Sequence, residues 1–228
     1  MSRYWRLCVV VATVGMLALS LAHAAEDAGP NLLANGGLEQ WQTDHLPPAG
    51  PNVPALLDGL PTGWSVSQEA YERGDDPAFV VRGAVSRETA LKVAGEASVR
   101  LTNAANTDIT EVSQGPFAVQ PDAVYRVRCQ VRGEKIVLNA RDGCGVIVWG
   151  NTGTGAPGDQ TIGYQYLPRT PTPKAGSFDW QGFEFFVETG PQASWMRVAL
   201  QLRRASGTAW FDEVAVNLVA KVHPVESY

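Results

Sequence analysis

Short runs in which apolar and polar residues alternate recur along most of the chain: ASVRLTN (97–103), GPFAVQP (115–121), VYRVRCQVRG (124–133), KIVLNA (135–140), GVIVWG (145–150), FEFFVETG (183–190), WMRVALQLRR (195–204) and TAWFDEVAVNLVA (208–220). A period of two is the signature of half-buried strands, because successive side chains point to opposite faces. Gly and Pro punctuate the runs. Outside the first residues no apolar stripe of helical spacing is sustained, although SVSQEAYERG (65–74) can hold a short helical turn. The pattern predicts an all-β fold of many short strands, a two-sheet antiparallel β-sandwich or jelly roll. Stretches 42–62 and 150–177, rich in Gly, Pro and Thr, read as long loops, the second interrupted by IGYQYL.

Parity sorts individual side chains. In VYRVRCQVRG, Tyr125, Val127, Cys129 and Val131 share an apolar face, and Arg126, Arg128, Gln130 and Arg132 share the other. In WMRVALQLRR, Met196, Val198, Leu200 and Leu202 face the core; Trp195, Arg197, Ala199, Gln201 and Arg203 face away. In GVIVWG, Trp149 goes with Ile147, opposite Val146 and Val148. The alternation slips once, between Phe211 and Val214, which predicts a β-bulge at Asp212 and Glu213. A carboxylate at a bulge, opposite the Asn-Gly-Gly turn that precedes Glu39, can form a cage of hard oxygens for calcium.

Charge and the chain's start narrow the function classes. Residues 1–24 carry Arg3 and Arg6, then LCVVVATVGMLALSLA, then AHA before Ala25, the order of a secretory signal peptide cleaved after Ala24. The expected product, residues 25–228, is a single secreted or periplasmic domain, monomeric and not inserted in a membrane. Losing two arginines and no acid takes its formal charge from −5 to −7, a sign that disfavours nucleic-acid binding. Cys129 and Cys144 both take the apolar parity of their runs; either they form a disulfide, if the two strands are neighbours, or they remain buried free thiols.

Six pieces in order resemble one family: NLLANGGLE, PTGW (61–64), GEASVRLT (95–102), AVQPDAVYRVRCQVRG (118–133), FDWQGFEF (178–185) and GTAWFDEVAV (207–216). Together they look like a CenC-like carbohydrate-binding module of the galactose-binding-like superfamily, across nearly all of residues 25–228. The resemblance implies a jelly roll with a structural Ca2+ tying the first strand to the last, Glu39 and Asp212 standing at the family's metal positions. It also implies core places for Trp64 and Trp180.

Glycan recognition asks for aromatic planes that stack on a pyranose and planar donors for hydroxyls or carboxylates. If the two arginine-bearing strands share a sheet, Arg126, Arg128, Gln130, Trp195, Arg197 and Gln201, with Trp149, form such a surface; otherwise these are solvated outward faces, since arginine stems cover apolar surface well. Trp210 points away from the core, and Trp41, Tyr164 and Tyr166 lie on or beside loops. The sequence contains no H-E-x-x-H or G-x-S-x-G motif. The expected function is non-catalytic binding of an extended, acidic polysaccharide or oligosaccharide. The alternatives are a jelly-roll polysaccharide lyase or glycoside hydrolase, with Glu184 and Glu188 or Asp75 and Asp76 as formal carboxylate pairs, and a structural or adhesive cell-surface protein.

Overall fold

In the computed structural model, the described residues are 29–44, 46, 54–66, 83–140, 145–154, 164–166 and 175–221. All regular structure among them is strand. The twelve strands are β1 (Trp41–Gln42), β2 (Ala55–Leu56), β3 (Leu60–Pro61), β4 (Ala84–Glu88), β5 (Ser98–Asn103), β6 (Ile109–Ala118), β7 (Ala123–Leu138), β8 (Gly145–Gly153), β9 (Tyr164–Tyr166), β10 (Gly176–Glu188), β11 (Trp195–Arg203) and β12 (Ala205–Lys221).

From β5 onward the chain passes back and forth between two sheets. One is six-stranded, in the order β10-β7-β12-β5-β4-β2; the other is four-stranded, in the order β6-β11-β8-β9. A two-stranded sheet, β1-β3, lies apart from them. Pairing is antiparallel except at the edge pair β2 and β4, which is parallel. Each strand therefore turns one face to the space between the sheets. Val99, Leu101, Tyr125, Val127, Cys129, Val131 and Phe211 from the six-stranded sheet meet Val112, Val146, Val148, Met196, Val198, Leu200 and Leu202 from the four-stranded one. Trp64 joins this core, as expected. Trp180 does not: it is half-buried on β10, an edge strand of the six-stranded sheet.

Two strands run longer than alternation suggests. KIVLNA continues VYRVRCQVRG as a single strand, β7, because Lys135 takes a left-handed conformation, φ 53°, that keeps the ladder going. Gly207, φ 114°, makes the matching irregularity in β12, where the register shifts between Ser206 and Thr208. The strand β6 begins at Ile109, six residues before the alternating run, because polar side chains occupy its inner face. Thr110 Oγ1 donates to Asn103 Oδ1, and Gln114 Nε2 donates to the carbonyl of Ala34, both satisfied where they are buried.

The N-terminal segment lies along the C-terminal half of β12. Leu32 N donates to Val216 O, and Asn31 bonds both Val214 O and Val216 N. The Asn-Gly-Gly turn forms as expected, with Asn35 left-handed at φ 53° and its side-chain oxygen accepting from Gln40 N. The signal-peptide residues, SVSQEAYERG beyond Val66, Asp75, Asp76 and Cys144 lie outside the described residues.

Candidate functional site

The expected bulge is present. Register between β12 and β7 shifts between Asp212 and Ala215, and Glu213 is left-handed at φ 51°. The kink turns Asp212 onto loop 93–97: its Oδ2 accepts from Val93 N at 2.7 Å and Ala94 N at 3.3 Å, and its Oδ1 from Glu213 N at 2.7 Å. Glu39 grips the same loop through Oε2, which accepts from Glu96 N and Ala97 N. Gly95, φ 60°, lies so close under Glu39 that a side chain there would strike the carboxylate. Burial raises the Asp212 carboxyl, the loop amides draw it down, and the Glu39 charge raises it again. The two carboxylates paired on sequence grounds are thus neighbours in space. Among the described residues neither carboxylate forms an ion pair with a Lys or Arg.

The arginine-bearing strands do not share a sheet. Both bury their apolar faces in the same core, β7 from the six-stranded side and β11 from the four-stranded side, so their other faces look out on opposite sides of the sandwich. The single surface expected from Arg126, Arg128, Gln130, Trp195, Arg197 and Gln201 is therefore two surfaces. The choice between one sheet and two is invisible in alternation, which fixes a side chain's face but not its sheet.

Trp149, Trp195, Arg197 and Gln201 fall on the outward face of the four-stranded sheet. Register aligns Glu111 (β6), Gln201 (β11) and Ile147 (β8) in one row, Ser113, Ala199 and Trp149 in the next, and Arg197 beside Asn151 beyond. At the end of the sheet Trp195 lies against Gly153, where any side chain would collide with the indole. Although it faces away from the core, this surface holds a buried charge. The Glu111 side chain is fully withdrawn from water, with Oε1 3.3 Å from Arg197 Nη2 and Oε2 accepting from Gln201 Nε2 at 2.8 Å. Arg197 Nη2 also donates to Ser113 Oγ at 2.7 Å. Burial pushes the Glu111 carboxyl up to about 7, against the pull of Arg197, Trp149 and Arg203. Gln201 Oε1, also buried, has no hydrogen-bond partner. Glu111 is the one acidic residue in β6, β8, β9 and β11, so those strands hold no second carboxylate for glycosidic hydrolysis.

Glu111 and Ser113 carry no sequence signal because the inner face of β6 holds Thr110 and Gln114. With polar residues on both faces, ITEVSQ shows no alternation to read.

Arg126, Arg128 and Gln130 occupy the outward face of the six-stranded sheet, with Trp210. The Arg132 guanidinium stands 5.6 Å from the Trp210 ring centroid, and Arg132 Nη1 bonds Asp179 Oδ1 at 3.0 Å. Glu184, a formal catalytic candidate, lies opposite Arg128 in register and 3.8 Å from Arg126 Nε. Trp41 is half-buried against the core with Nε1 donating to Leu38 O. Cys129 is a free, buried thiol within reach of the carbonyls of Gln130 and Asp212, and its possible partner Cys144 lies outside the described residues.

No family model and no curated protein matches the sequence. Solved structures do. The N-terminal CBM22-1–CBM22-2 tandem of Paenibacillus barcinonensis Xyn10C is 14% identical, over 86% of this chain and 48% of the tandem, with TM-score 0.50. The chain spans about half the length of that tandem. Its CBM22-1 xylan-binding domain alone is 14% identical over 85% of this chain and 97% of the domain, TM-score 0.44. A family 4 carbohydrate-binding module is 14% identical over 81% and 98%, TM-score 0.44. The fold is a β-sandwich like that of carbohydrate-binding modules. These neighbours come from families 22 and 4, and the likeness does not single out the CenC-like group.

Proposed function

We propose that the outward face of the four-stranded sheet binds an extended oligosaccharide without modifying it, in an exported protein stabilised by calcium. The observation that carries this reading is the grouping on one sheet face of the Trp149 and Trp195 indoles with the Arg197, Gln201 and Glu111 hydrogen-bonding set. Half-buried indoles offer planes for pyranose rings. Arg197, partly exposed and held by Glu111 and Ser113, offers a hydroxyl partner already ordered before binding, which lowers the entropic cost of association. Because Arg197 is engaged by Glu111, this face suits neutral sugars better than the acidic polysaccharide expected from the arginines counted together.

Titration calorimetry against a panel of neutral xylo-, gluco- and manno-oligosaccharides tests the reading. Trp149→Ala is expected to weaken the bound member by about 5- to 30-fold, roughly 1–2 kcal/mol for one stacking plane lost. Failure of every oligosaccharide to bind would remove the proposal. Incubation with the same ligands should release no new reducing ends and no unsaturated products.

The calcium part rests on chemistry of the donor set. Glu39 and Asp212 bring two hard carboxylates to one loop with no basic partner among the described residues, and Glu39 Oε1 accepts from no loop amide. Glu39 would hold the ion through that oxygen and Asp212 through its remaining lone pairs; the ion would supply the missing positive charge and cross-link the N-terminal turn to β12.

A further inference from the structure

The opposite side of the sandwich carries a second polar constellation that takes no part in the oligosaccharide face. On the outward face of the six-stranded sheet, Arg126 is aligned with Phe186 of β10 on one side and Asn217 of β12 on the other. Arg126 is 7% exposed and Asn217 6% exposed, yet Arg126 Nε and Asn217 Oδ1 both lack a hydrogen-bond partner. Glu184 Oε2 stands 3.8 Å from Arg126 Nε, too far for a hydrogen bond. A buried guanidinium donor and a buried amide acceptor left unpaired side by side are costly to the fold. Those two atoms are sealed from solvent, so a ligand can offset the cost only through negative charge brought to the exposed part of this face.

The surroundings define its chemistry. Arg128, two residues along the same face and about 7 Å away, is exposed, and its guanidinium makes no hydrogen bond or ion pair with the described residues. Phe186, aligned with Arg126 in register, is 52% exposed, so apolar surface lies beside the guanidinium. Two guanidiniums favour a carboxylate, and an exposed ring favours a flat apolar face. A hexuronate residue carries both; an aspartate or glutamate side chain lacks the ring face. Glu184, half-exposed opposite Arg128, and the exposed Glu188 are the acidic groups on this part of the face. A ligand carboxylate would displace Glu184 from the neighbourhood of Arg126.

We propose that Arg126, Arg128 and Phe186 form a second glycan site, selective for a uronate unit and separate from the four-stranded face. The experiment is titration of the full chain with galacturonate hexamer and with its fully methyl-esterified counterpart. The wild type is expected to bind the acid and not the ester, more weakly as salt rises. Arg128→Gln and Phe186→Ala, both at exposed positions, are expected to weaken the acid at least tenfold, whereas Trp149→Ala leaves it unchanged. The proposal is overturned if the wild type does not bind the hexamer, if ester and acid bind alike, or if both variants bind as the wild type does. Loss of hexamer binding in Trp149→Ala with Phe186→Ala unaffected would assign uronate to the other face and also overturn it. Neutral-oligosaccharide binding is scored separately, so either site can fail alone.

Discussion

Glu111 is the side chain whose ionisation the fold opposes most clearly. Its carboxyl is pushed up to about 7 by burial, while in the unfolded chain it titrates near the ordinary 4.5. Between those values the folded protein binds more protons than the unfolded one, so stability falls as pH rises through the window from about 4.5 to about 7. Moving a carboxyl's titration by one pH unit changes its contribution to stability by about 1.4 kcal/mol. Urea unfolding of wild type and Glu111→Gln across this window checks the sign: the wild type should lose stability relative to the variant as pH rises. A constant difference between the two would mean that Glu111 stays ionised throughout. Asp212 is also raised by burial and contributes in the same direction, so the comparison with the variant, rather than the wild-type curve alone, isolates Glu111. Little of this is legible in the sequence. The outward parity of Trp149, Arg197 and Gln201 follows from their strands, but Glu111 acquires meaning only when register sets it beside Gln201 across two strands 90 residues apart.

At the scale of elements, the bulge of β12 is the feature that the sequence reveals most completely. One residue out of phase between Phe211 and Val214 locates it, and the left-handed Glu213 realises it. Its work is to turn a buried carboxylate onto three amides. Asp212→Ala would leave the N–H groups of Val93, Ala94 and Glu213 without that acceptor and is expected to cost about 2–4 kcal/mol; Asp212→Asn, which keeps one oxygen, should recover part of the loss. Calcium adds a second, separable contribution. At a concentration 100 times its dissociation constant the ion would stabilise by about 2.7 kcal/mol, so chelation with EDTA should lower Tm by about 5–10 °C for a chain of this length. Glu39→Gln should abolish that response. A Tm indifferent to both EDTA and calcium would count against Glu39 and Asp212 as ligands. The sheet assignment of β7 and β11 is not legible in the same way, because a phase error shows within one strand whereas sheet membership depends on pairing at long range.

For the whole molecule, what the two-sheet architecture decides is direction. A jelly roll consumes one face of each sheet in its core and leaves the other two pointing apart, so the Trp149 face and the Arg126 face cannot touch one ligand together. Each proposed site therefore works alone, and substitutions on the two faces should be additive within about 0.5 kcal/mol, as for distant groups with no shared partner. Opposed sites also let one protein molecule hold two chains at once, and the second capture gains from effective concentration only on a surface that presents both. The expected outcome is that wild-type protein, verified as monomeric by light scattering, tethers a soluble polyuronate to beads coated with the neutral glycan it binds. Trp149→Ala should attach to the beads about 5- to 30-fold more weakly, and Phe186→Ala should attach as the wild type does but capture the polyuronate at least tenfold more weakly. Tethering undiminished in Phe186→Ala would show that a single face, or a second copy of the protein, makes the bridge, and the two-faced reading of the sandwich would have to be given up.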